Sequence, residues 1–129
     1  MGNGTPLGRV RGLGSAHHGT GHWLAQRLTA LGNVLLVGWF VVSLLRLPLG
    51  EHGALIRWAS DPAVAFALML LVVSVFWHLR LGLQVLIEDY VHGEATRLLA
   101  LVALNFYAIG GGAFGLFSIA RIAFAGGAA

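Results

Sequence analysis

From Leu28 to Leu45 the chain reads LTALGNVLLVGWFVVSLL, without a single charged side chain, between Arg27 and Arg46. A run of that length meets the demand of roughly 20 apolar residues for a helix that crosses the hydrocarbon core of a bilayer. Pro48 and Gly50 then end it. Two further long apolar runs follow, the second span interrupted only by Arg80 before Glu88, so the chain is expected to be an all-α membrane protein with spans over about 27–47, 62–88 and 97–121. Composition agrees: 57% of the residues are hydrophobic, only 10% are charged, and the mean hydropathy is +0.81. A soluble domain carries roughly a quarter charged residues.

The length allows one small membrane domain, 23–125, preceded by a polar arm, 1–22, rich in Gly, Ser and Thr. The arm is not read as a signal peptide, because no apolar stretch closely follows Arg9 and Arg11. His17, His18 and His22 lack acidic or thiolate partners nearby in sequence and are read as part of a solvated or interfacial tail. There is no cysteine, which excludes disulfides, thiolate metal sites and a cysteine nucleophile. The net charge of +3 comes from arginines alone, scattered along the chain without a basic stripe, so no nucleic acid is expected as a partner.

Helix punctuation places the remaining elements. Trp23 and Trp39 are candidates for headgroup belts, and Gly32, Gly38 and Ser43 are small enough for close helix contact. The mixed-charge link from Pro48 to Asp61 is aqueous, with room for a short interfacial helix over 54–58. Pro62 suits the first turn of the second span, capped by Ser60 or Asp61. Gly93 breaks that helix and the third restarts near Ala95. Gly110, Gly111 and Gly112 either let a neighbour pack close or bend the third span, and GGAA closes the chain as a frayed tail. Arg9, Arg11, Arg27 and Arg97 on one side against Arg46, Arg57 and Arg121 on the other favour a cytoplasmic N-terminus, by four to three.

The chemistry concentrates in HLRLGLQVLIEDYVH, His78 to His92. At 100° per residue, Leu71, Ser74, His78, Gly82, Val85 and Asp89 share a face. A histidine near mid-bilayer is expensive there and points to a functional site, against the alternative of a satisfied packing residue. Neutral imidazole is a good axial ligand for haem iron, and Ser74 and Gly82 would leave room for a porphyrin edge. The second ligand would have to come from another chain. Arg80 falls on the opposite face, either snorkelling toward the headgroups along Gln84 or pairing with a propionate or a partner's carboxylate. Gln84 and Asn105 read as interhelical hydrogen-bond partners. At the water boundary Tyr90 is either a hydrogen-bond donor to a quinone carbonyl, with Asp89 helping to supply protons, or an ordinary interfacial tyrosine. Glu88 and Asp89 oppose the helix dipole, which prefers cations at that end.

This run, at the end of the second of three spans, resembles the small hydrophobic membrane-anchor subunit, D-type, of succinate dehydrogenase, respiratory complex II. HWLAQRLTAL, His22 to Leu31, is similar to the entry to that family's first helix. The likeness covers most of the chain from His22 to the third span, whereas the arm and the polyglycine have no counterpart in it. It implies three transmembrane helices forming half of a heterodimeric haem-binding bundle, in the bacterial inner or the mitochondrial inner membrane, with the N-terminus on the cytoplasmic or matrix side. The implied partners are a sister cytochrome b anchor of the C-type, an iron-sulfur subunit, a flavoprotein and membrane lipid, and a trimer of the heterotetramer is among the assemblies the resemblance allows. The implied cofactor is haem b, shared with the sister subunit through His78, while FAD and the iron-sulfur clusters belong to the partners. Ubiquinone would be the substrate at Tyr90 and Asp89, and Arg27 would face the haem propionates or the quinone pocket. The chain alone would have no dehydrogenase activity. The rival expectation is a structural, haem-free anchor or assembly protein with His78 as a packing residue. A transporter or channel subunit would need polar residues along one face of every span, and the first span is read as having almost none.

Overall fold

The computed structural model describes residues 19–48 and 50–125. Its described elements are four helices: α1, Gly19–Arg46; α2, His52–Ser60; α3, Pro62–Tyr90; and α4, Glu94–Ala125. Three of them, α1, α3 and α4, are long and apolar enough to cross a membrane. The expected readings of His17, His18 and the terminal GGAA lie outside the described residues. The first helix starts at Gly19, well before Arg27, so His22 is helical.

Local chemistry sets the boundaries. The Asp61 carboxylate accepts hydrogen bonds from the backbone N–H groups of Ala63 and Val64 at 2.9 and 3.1 Å, and Pro62 follows it at the start of α3. Of the two expected caps it is therefore Asp61 that serves, in line with the preference for a side-chain acceptor at that position. The Ser60 hydroxyl instead lies 2.7 Å from the Ile56 carbonyl and 3.2 Å from that of Ile122, which brings the end of α2 against the end of α4. The short interfacial helix is real and somewhat longer than expected, and its Trp58 stacks on Trp39 with ring centroids 6.0 Å apart. Glu94 opens α4, where an acidic residue suits the positive end of the helix dipole.

The arrangement follows from α3. Ser74, His78 and Gly82 recur every fourth residue and face α1: Gly32 approaches the Ser74 hydroxyl, and the Gln26 amide approaches Gly82. Val72, Phe76 and Arg80 recur with the same spacing but two residues out of step, about 200° round the helix, and meet Gly115, Gly111 and Asn105 of α4. With its partners on opposite faces, α3 is central, and α1 and α4 make no contact with each other. The polyglycine serves close packing: a Cβ on Gly111 would lie 2.6 Å from Phe76, whereas one on Gly110 would meet nothing within 4 Å.

Little of the chain is hidden by itself. Its buried apolar residues are Ala54, Ala59, Ala65, Leu81, Leu104 and Ala108, while Leu35, Phe106, Phe117 and Phe124 stand largely exposed. Apolar surface of that extent must be covered by lipid or by another protein.

Gly111→Val should push the Phe76 ring out of place and destabilise the protein by about 1–3 kcal/mol. Gly110→Val, one residue away and facing open space, should cost less. Thermal unfolding of the detergent-solubilised protein checks both.

Candidate functional site

The site candidates on α3 fall at two places, and a helix rise of 1.5 Å per residue sets them about 18 Å apart along the axis. The first is His78. Its Nδ1 lies 3.1 Å from the Thr29 hydroxyl oxygen, and that hydroxyl is 2.8 Å from the Ala25 carbonyl and 3.1 Å from that of Gln26. Ser74 donates to the Thr29 carbonyl at 3.4 Å. The register is antiparallel, each step toward the N-terminus of α1 matching a step toward the C-terminus of α3. Gln26, Thr29 and Gly32 thus stand opposite Gly82, His78 and Ser74.

Ser74 and Gly82 sit in the α1–α3 seam, where Gly32 and Gln26 already occupy the space beside them. The expectation of a nearly apolar first span also needs correction, since Gln26, Thr29 and Asn33 line this seam at spacings of three and four. That periodicity was the available signal, but it was masked by the run's high mean hydropathy. Oε1 of Gln26 and Oδ1 of Asn33 are buried without a hydrogen-bond partner.

A single imidazole fits axial ligation better than a metal cage. Among the described residues no three His or acidic side chains gather. The hydroxyl at Nδ1 leaves the other ring nitrogen for iron. Arg27 lies two residues from Thr29, so the same register puts it at the level of Arg80 and inside the span, below the expected boundary. It is exposed, with its guanidinium 5.1 Å from the Trp23 ring centroid.

The second place is the end of α3. Tyr90 is 74% exposed and Asp89 is exposed beside it, where both are open to water or a partner. Glu88 is engaged, accepting from the Gln84 side-chain amide at 2.9 Å. Gln84 thus bonds within its own helix and is not the interhelical partner expected.

Asn105 is such a partner. Its Oδ1 accepts from Arg80 Nε at 2.6 Å, while its amide nitrogen donates to the Leu101 carbonyl at 2.8 Å, which fixes the side chain's orientation. Arg80 also lies over Trp77, at 5.7 Å. The guanidinium crosses to α4 instead of snorkelling along Gln84, and it opens on a groove of about 470 Å³ lined by Val73, Trp77 and Gly112.

Comparison with known proteins returns one consistent answer. Residues 1–112 match the family described as the succinate dehydrogenase/fumarate reductase transmembrane subunit. The chain is 31% identical over 101 residues to a succinate dehydrogenase hydrophobic membrane anchor subunit of Rickettsia bellii, covering 78% of this chain and 81% of that one. It is 33% identical over 104 residues to a succinate dehydrogenase membrane anchor subunit of Reclinomonas americana, covering 70% and 78%. It is 31% identical over 98 residues to the corresponding subunit of Paracoccus denitrificans, covering 76% and 75%. No solved structure matches the chain.

Asn105→Leu should strand the Arg80 guanidinium and lower stability by about 1–3 kcal/mol. Adding Arg80→Leu should recover part of that loss, because the unpaired charge is then gone. Thermal unfolding midpoints of the single and double variants decide it.

Proposed function

The chain belongs to the succinate dehydrogenase/fumarate reductase transmembrane subunit family, and on that premise we propose that it anchors a succinate dehydrogenase in the membrane and helps to build its site of ubiquinone reduction. The observation that carries the proposal is the placement on one helix of a hydrogen-bonded imidazole deep in the apolar region and an exposed Tyr90–Asp89 pair at the helix end. In this reading succinate is oxidised in the flavoprotein at FAD, and electrons pass through the iron-sulfur subunit to the quinone. The Tyr90 hydroxyl donates a hydrogen bond to a quinone carbonyl. Asp89, open to water, relays protons toward the oxygen atoms as two electrons and two protons convert quinone to quinol.

His78 would hold haem b together with a ligand of the sister C-type subunit, with Arg27 available to the propionates or to the quinone pocket. When bound, such a haem supplies a one-electron store within the membrane. Ser74 and Gly82 contribute by letting α1 close on α3, which brings Thr29 up to the imidazole. The unburied apolar faces fit docking against the sister subunit as half of a shared bundle, with lipid covering the rest. The N-terminus would lie on the cytoplasmic or matrix side, beside the soluble subunits, in a bacterial or mitochondrial inner membrane. A trimer of the heterotetramer is compatible with the open faces.

One observation favours the rival, a haem-free structural anchor. His78 already has a partner in Thr29, and its flanking small residues are used for packing.

In the assembled complex His78→Ala should lower the ratio of haem to flavin, which the rival does not predict. Tyr90→Phe should leave that ratio intact while lowering quinone reduction on the order of 100-fold, the scale of a lost proton or hydrogen-bond donor. Succinate oxidation by a soluble dye should be unchanged in both.

A further inference from the structure

We propose that Thr29 is a positioning residue that fixes which nitrogen of His78 faces iron and how strongly it donates. The inference rests on the reading of His78 as a haem ligand.

A threonine hydroxyl has one hydrogen to give. At Thr29 the nearest acceptor is the Ala25 carbonyl at 2.8 Å, the back-bond to the preceding turn that helical threonines make, and the Gln26 carbonyl lies within reach at 3.1 Å. With its hydrogen committed to the turn, the oxygen meets His78 Nδ1, at 3.1 Å, as an acceptor. Nδ1 therefore carries the ring hydrogen, and Nε2 carries the lone pair. An imidazole in that form is ready to ligate through Nε2. The hydrogen bond at Nδ1 also raises its basicity and stops the ring from turning about its bond to the helix.

The surrounding packing serves the same end. Gly32, one turn from Thr29, lets α1 approach α3 at Ser74, whose hydroxyl donates to the Thr29 carbonyl. Thr29 is thereby held from both its side-chain and its backbone oxygens. Two properties should follow: retention of haem and its reduction potential both depend on a hydroxyl on α1 that never touches the iron.

The test uses the complete complex carrying Thr29→Val, Thr29→Ala or Thr29→Ser, with His78→Ala as control. In Thr29→Val, haem should pass to apomyoglobin about tenfold faster, the scale for loss of a partner behind a metal-ligating histidine. Its reduction potential should move to a more positive value, because a less basic imidazole stabilises the oxidised iron less. Thr29→Ser, which keeps the hydroxyl, should restore both. If Thr29→Val matches the wild type in transfer rate and potential while His78→Ala loses haem, the positioning role is wrong and the ligand reading stands. If His78→Ala keeps its haem, the ligand reading fails and takes this inference with it. If Thr29→Val and Thr29→Ala both fail to assemble and Thr29→Ser does not, Thr29 holds the helices together and the proposed tuning is overturned.

Discussion

Everything in this structure depends on α3 having two working faces. Small and polar residues recur every fourth position on one side, as Ser74, His78 and Gly82, and larger ones recur on the other, as Val72, Phe76 and Arg80. Because the two stripes are offset by two residues, they point nearly opposite ways. The helices that fill them cannot touch each other. A compact three-helix bundle would have closed around its own core, but here the apolar side chains mostly face outward. In a bilayer that is permitted, since lipid is as apolar as leucine and helix contact rests on close fit and hydrogen bonds. Gly32, Gly111 and Gly115 supply the fit, while Thr29–His78 and Arg80–Asn105 supply the hydrogen bonds.

The same geometry keeps two polar centres apart. His78 and Arg80 differ by only two residues, yet one is bonded to α1 and the other to α4. Were they on one face, the guanidinium would compete for whatever the imidazole holds. As it stands, the cost of a charge in the membrane is met by Asn105 and the Trp77 ring, and the imidazole is left for separate work. The open apolar faces belong to a chain whose surroundings are completed by other subunits in the proposed assembly.

Periodicity and punctuation made most of the fold legible. Long apolar runs marked the three crossing helices, and Pro62 with Ser60 or Asp61 before it marked a start whose hydrogen bonds go to Asp61. Pairing between helices was much harder to see. Arg80, Gln84 and Asn105 were all recognisable as polar groups in apolar segments, but sequence does not say which neighbour each one reaches. Gln84 turned to its own helix and Arg80 turned across to the next. Thr29 was invisible for a related reason: a hydroxyl in an apolar run can always satisfy itself on its own preceding turn. Its second contact exists only once α1 and α3 are set in register. Gly82 shows the reverse, since its lack of a side chain was plain and only the structure reveals that Gln26 uses the space.

The most direct test of the account is a reduced-minus-oxidised optical spectrum of the complex purified through a tag on this chain, with co-purifying subunits identified by mass. The account predicts a b-type haem signal together with a flavoprotein, an iron-sulfur protein and a second small membrane subunit. A preparation with neither those partners nor haem would contradict it.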